Sequence, residues 1–170
     1  IQIFADQFVT QLAQSEAVDH VEVLAFAEGS DETRPDVSIH RVGASQTPTK
    51  ILTGLAWVRR REVDVVHSLT LYPSGLIAAL CNRLSDDVSA YATVYGLDAI
   101  SVADHPILGS VHRFIFEGLD EALFFSDSTR EKTHSAYDMD FPSRRIYPGA
   151  PTFSDDVDEL SVNTDRTDDS

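Results

Sequence analysis

Cysteine and lysine are nearly absent from this chain of 170 residues, and each shortage closes off a class of protein. Cys81 is the only cysteine. A disulfide framework and a zinc site built on cysteine pairs are therefore excluded within these residues. It lies in the apolar run LIAALC, where a buried, inert thiol is the expectation. Lys50 and Lys132 are the only lysines, and 13 Lys plus Arg face 28 Asp plus Glu, for a formal net charge of -15. A field of that sign repels phosphate backbones and anionic lipid, so nucleic acid is not an expected partner. No apolar run reaches the roughly 18 residues of a membrane span, and no leader pattern is read before the first element. The expectation is a cytoplasmic protein with no membrane span, which leaves room for peripheral membrane contact. A G-x-G-x-x-G turn after a strand is also missing, which disfavours a dinucleotide-dependent oxidoreductase.

The acidic residues that are present spread along the whole chain. An Asp-rich, Lys-poor surface of this kind suits concentrated salt, where the Debye length falls to about 3 Å at 1 M and carboxylates barely repel one another. A halophilic protein is the expectation, and the Asp runs (Asp86-Asp87, Asp155-Asp156, Asp168-Asp169) read as solvated charge.

Hydrophobic periodicity divides the chain into alternating elements. Helical spacing of Ile3, Phe4, Phe8, Val9 and Leu12 predicts a helix over 1–16. Strands are predicted at 20–26 and 37–42, separated by a polar loop at 28–36. A helix follows at 49–61, a strand at 63–67, and a helix at 73–84 that Pro73 would start. Beyond it come a strand at 89–95, a helix at 106–119, a strand at 122–126, a helix at 129–137 and a strand at 144–147. Strands alternating with helices of this length imply βαβ units. Runs such as VDVVH and ALFF are apolar on both faces, as buried parallel strands must be. The predicted fold is α/β, doubly wound, with a mainly parallel sheet and helices on both faces.

Two edges of this plan look unfinished. The opening helix would ordinarily follow a central strand and a glycine-rich turn, and residues 152–170 are acidic and polar, as in a linker or disordered tail. The expected organisation is one domain over 1–151 with its first strand missing, followed by that linker.

In open α/β sheets, ligands bind outside the carboxyl ends of the strands. That rule selects 67–75, 95–98, 126–129 and 147–151, all rich in His, Ser, Thr, Tyr, Gly and Pro. Such convergence suits a sugar or phosphate pocket, although strand-to-helix loops are polar in any case.

These segments carry a resemblance. VDVVHSLTLYPSGLIAAL (63–80), TVYGLDA (93–99), FFSDSTREK (124–132) and RIYPGAP (145–151) come in the order and spacing of the N-terminal domain of family 4 glycosyltransferases. IFADQFVTQLAQSEAVDHVEVLAF (3–26) resembles that domain's first helix and second strand. The resemblance implies the Rossmann-like, acceptor-side half of a retaining GT-B enzyme. Proteins like this bind a sugar, glycan, lipid-linked or small-molecule acceptor here. The nucleotide-sugar donor binds mainly in a C-terminal domain, absent from this chain, that would be the domain's own partner. No cofactor and no metal is implied. A non-catalytic α/β domain that binds a small ligand or a partner, a degenerate glycosyltransferase, is the alternative.

The resemblance also suggests roles. Tyr95 stands where the family usually has histidine near the donor sugar; its hydroxyl can hydrogen-bond a sugar but cannot shuttle protons near neutrality as imidazole does. His67 would either meet the acceptor or cap its strand edge. Ser74 and Gly75 would open a helix whose amides could receive an acceptor group, or form a plain cap and turn. Gly96 would permit a positive φ, with Asp98 beside it in the same motif. Ser126, Thr129 and Arg130 lie where the next helix starts, with Ser128 as its expected N-cap. Arg130 would hold an acceptor phosphate or carboxylate, or a surface carboxylate. Tyr147, Pro148 and Gly149 resemble the exit to the hinge. His105 and His112, seven apart, could share a helix face, but no third metal ligand is evident.

Overall fold

The structure, a computed structural model, describes residues 2–43 and 46–147, with side chains from residue 5 onward. The side chains of Ile3 and Phe4, the hinge residues Pro148 and Gly149 and the acidic segment 152–170 lie outside what is described. Among the described residues there are six α-helices and seven strands. They run α1 Gln2–Ala13, β1 Val21–Ala25, β2 Glu32–Arg34, β3 Val37–Arg41, α2 Thr47–Arg61, β4 Val65–Ser68 and α3 Leu76–Leu84. Then come β5 Ser89–Val94, α4 Leu97–Ile100, α5 Leu108–Glu117, β6 Glu121–Phe124, α6 Asp127–Tyr137 and β7 Ser143–Arg145.

The fold is α/β and Rossmann-like. Strands β4-β5-β6-β7 form a four-stranded sheet that is parallel throughout, with helices in every connection. The remaining strands form a second sheet in the order β1-β3-β2, in which β1 and β3 are parallel and β2 is antiparallel. Side chains alternate across a strand, and β4 shows which helices lie on which face. Val66 packs toward α2 and α3, whereas the His67 ring meets Phe8 of α1 edge-on at 4.7 Å. Helices therefore cover both faces.

Small residues bring helix and sheet together. Ala78 and Ala79 on α3 and Ala90, Ala92 and Ala122 on the strands are fully buried. Rings fill the space that they leave: Phe116 stacks on Phe141 at 4.2 Å and meets Tyr137 edge-on at 5.2 Å. A second apolar seam joins α2 to α3 through Val58, Ile77 and Cys81. A β-carbon on Gly54 would sit 2.6 Å from Ile77 Cδ1, so glycine sets how closely these helices approach. Burial lifts the Cys81 thiol to about 11. The smaller sheet is tied to the end of α2 by a chain of polar contacts. Arg61 pairs with Glu22 at 3.3 Å, Glu22 with His40 at 2.9 Å, and His40 with Asp31 at 3.1 Å.

Several boundaries differ from expectation. The loop predicted at 28–36 contains β2, which turns back on β3 through Pro35 and Asp36, with Asp36 at φ 60°. Tyr72 is extended (φ -137°, ψ 134°), as residues preceding proline favour, and helical backbone runs from Pro73 into α3, where Pro73 was expected to start it. Ser126 rather than Ser128 caps α6: it is extended, and its Oγ accepts from the Thr129 amide at 3.1 Å. Asp127 then places a carboxylate in the first turn, where the helix dipole favours it. Among the described residues no helix is long and apolar enough to cross a membrane.

Candidate functional site

The loops after β4 and β5, with α4 and α5, enclose a pocket of about 270 Å³ at the carboxyl ends of these strands. Thr70, Leu71 and Tyr72 form one side, Tyr95 and Asp98 another, and His112 of α5 contributes from beneath. The volume lies just under the roughly 300–1,000 Å³ typical of ligand clefts, so one small ring would fill it.

Backbone geometry builds the Tyr95–Asp98 side. β5 ends at Val94, and Gly96 takes φ 104°, a conformation that a side chain would strain. A β-carbon there would also fall 2.5 Å from Thr129 Cγ2, so glycine is required by both conformation and space. Asp98 Oδ1 accepts from the Gly96 amide at 2.9 Å, fixing the carboxylate beside the ring of Tyr95. That ring lies edge-on to Phe125 at 5.4 Å. Burial first, and then the Asp98 charge, raise the Tyr95 hydroxyl above its usual range. It stays protonated near neutrality and serves as a hydrogen-bonding group, not as a base.

The opposite side is a tight turn. Ser74 Oγ donates to the Thr70 carbonyl at 3.0 Å and contacts the Thr70 hydroxyl at 2.7 Å. The Gly75 amide donates to the same carbonyl at 3.1 Å. Ser74 and Gly75 thus hold the turn that presents Thr70, Leu71 and Tyr72, and the Gly75 amide is already taken by the Thr70 carbonyl. Gly75 is buried, with Ile115 Cγ2 only 3.3 Å from where a β-carbon would be.

The other sequence-selected residues lie elsewhere. His67 faces α1 on the far side of the sheet; its Nε2 meets Thr93 Oγ1 at 2.9 Å, and burial lowers its pKa to about 4. Ser126 and Thr129 close the start of α6, their hydroxyls 2.8 Å apart. They reach the pocket only indirectly, through the contact of Thr129 with Gly96. Arg130 pairs with Asp127 at 3.1 Å and borders a shallow, open depression with His134, Asp138 and Ser143. Tyr147 is largely exposed and packs against the Arg145 guanidinium, which also pairs with Asp127 at 2.6 Å.

His105 and His112 do not meet. His105 Nδ1 accepts from the amides of Ile107 and Leu108 at 3.3 and 3.2 Å, at the start of α5. His112 is buried against Tyr137. No group of three or more His, Cys, Asp or Glu side chains able to hold a metal is found among the described residues. Sequence reasoning placed Tyr95 and Asp98 in the cleft but did not anticipate His112 as a wall of it. The usable signal was its position on the apolar side of α5, beside Ile115 and Phe116, where a histidine must find a partner.

No family model matches the chain, and no curated protein matches it.

Proposed function

We propose that this chain is the acceptor-binding domain of a retaining glycosyltransferase of the GT-B kind, with the acceptor seated between Tyr72, Tyr95 and Asp98. One observation carries the reading. The TVYGLDA and LYPSG segments, which resemble family 4 glycosyltransferase motifs, line one pocket at the carboxyl ends of adjacent parallel strands. In this reading Asp98 accepts from acceptor hydroxyls and Tyr95 donates to or accepts from a sugar oxygen. The nucleotide-sugar donor would be carried mainly by a second domain closing over the pocket. Closure would exclude water and let fixed dipoles stabilise the charge developing on the departing diphosphate.

The test is transfer from a panel of nucleotide sugars onto saccharide and polyprenyl-phosphate acceptors, using the complete gene product. Turnover with retained anomeric configuration is expected, and the 170-residue chain alone should transfer nothing. Absence of both transfer and donor hydrolysis across the panel would overturn the reading. It would favour the second one, a non-catalytic ligand-binding domain. The tyrosine at position 95 gives that second reading its footing, since a hydroxyl held protonated by burial and by Asp98 cannot relay protons.

The net charge of -15 supports a cytoplasmic, salt-adapted setting for this domain. Thermal melts should then rise clearly between low and molar NaCl as the carboxylates are screened. A melting temperature indifferent to salt across that range would count against it.

A further inference from the structure

His112 is the one pocket residue without a role so far. It is 3% exposed, and its Nδ1 lies 2.8 Å from the Tyr137 hydroxyl. That hydroxyl is itself 2.8 Å from the Ala99 carbonyl oxygen, to which it donates. A carbonyl can only accept, so the single phenolic proton points at Ala99. The Tyr137 oxygen is then left as an acceptor, and the proton between it and the imidazole must sit on His112 Nδ1. In the neutral ring the second nitrogen carries a lone pair and no hydrogen. Nε2 makes no hydrogen bond among the described residues, and the ring borders the cavity.

We propose that His112 is the pocket's built-in hydrogen-bond acceptor: Tyr137 holds it as the Nδ1–H tautomer, and its bare Nε2 takes a proton-donating hydroxyl of an uncharged ligand. The proposal deepens the acceptor-site reading of the same pocket and rests on it. Burial lowers the His112 pKa, with the Asp98 charge acting in the opposite direction, so the ring is neutral at physiological pH. Asp98 supplies a second acceptor, and its charge repels phosphate and carboxylate groups from the cavity. Tyr72 and Tyr95 supply ring surface on which the C–H face of a small polyol or pyranose can rest. Two acceptors between aromatic walls, in a space for one ring, select a neutral sugar ring over an anionic head group. An acceptor phosphate, if the substrate has one, stays outside.

Nitrogen-15 NMR of the histidine-labelled chain, with methyl α-D-glucopyranoside as probe, tests this. The expected spectrum shows a protonated Nδ1 and a bare Nε2 for His112. Titrating the probe should shift the Nε2 resonance in a saturable way. In His112→Asn the amide can still donate to Tyr137 while nothing replaces Nε2, and probe affinity should fall at least tenfold. His112→Gln, which returns an acceptor near the Nε2 position, should recover part of that loss. A His112 with its proton on Nε2, or a wild-type chain with no response to saturating glucoside, would overturn the proposal. So would undiminished probe binding by a folded His112→Asn. If the asparagine variant fails to fold, the tautomer and the wild-type titration decide alone. Saturable binding at Nε2 by a gene product that neither transfers nor hydrolyses would sink only the transferase reading. Transfer by a protein whose His112 carries its proton on Nε2 would sink only this proposal.

Discussion

Phe116→Ala is expected to lower the unfolding free energy by about 3–5 kcal/mol, the usual range for removing a buried phenyl ring. The ring is 1% exposed and stands at the junction of α5, α6 and the segment before β7. It stacks on Phe141 and meets Tyr137 edge-on. Around it, Ala79, Ala90, Ala92 and Ala122 are already as small as side chains become while keeping a β-carbon. None of them can extend into the space that a lost ring leaves. Collapse of the cavity would need the backbone of α5 or α6 to move, and packed helices resist that. A domain of this size has roughly 5–15 kcal/mol in total, so the variant should unfold at markedly lower urea with an unchanged denaturant slope. A loss under about 1 kcal/mol would mean that these rings do not form one packed unit.

The second large effect is acid destabilisation centred on His67. Its folded pKa is lowered to about 4 from the ordinary 6.5, because burial between β4, β5 and α1 disfavours the charged ring. The sign follows from that direction. Between those values the unfolded chain binds a proton that the folded chain refuses, so stability rises with pH through the window. The contribution is fully present above about pH 6.5 and is lost progressively as pH falls toward 4. One pKa unit corresponds to about 1.4 kcal/mol, so the full loss is about 3 kcal/mol. His112, also lowered by burial, acts in the same direction. Asp31 and Glu32 have lowered carboxyl pKa values, Asp31 through the Arg41 amide and Glu32 through the Arg34 side chain. Their contribution disappears only at still lower pH. Urea melts at pH 7.5 and pH 5, both in molar NaCl to screen general repulsion, should show the wild type losing clearly more than His67→Gln. Glutamine can still reach Thr93 and carries no proton to gain. Equal losses in the two proteins would remove His67 as the cause.

The parallel sheet was legible because its strands are apolar on both faces and its helices carry one apolar side. Those signals come from burial, which the sheet itself imposes. β2 was not legible, because Glu32, Thr33 and Arg34 show no apolar alternation and owe their strand form to pairing with β3. Pro35-Asp36 was the usable clue: a fixed φ followed by a residue tolerant of positive φ makes a tight reversal. The division into two sheets was not foreseen either, since periodicity finds strands and says little about their neighbours. Within the site, the strand-end rule located Tyr95, Gly96 and Asp98. It could not separate His67 from them, although strand alternation turns His67 to the opposite face, under Phe8. Arg130 follows the same lesson, one residue beyond Thr129 but turned toward Asp127 and the outer depression. His112 lies far along the chain from the other pocket residues, and only the path of α5 brings it there.

Cys81 gives the chain an internal clock for its own opening. The thiol is buried in the seam between α2 and α3, and its raised pKa leaves almost no thiolate at neutral pH. Alkylation therefore has to wait until that seam parts, and with a single cysteine there is no second site to confuse the signal. When closing outpaces the reagent, the labelling rate reports the equilibrium between the shut and parted seam. When the reagent is fast, it reports how often α2 lifts away from α3.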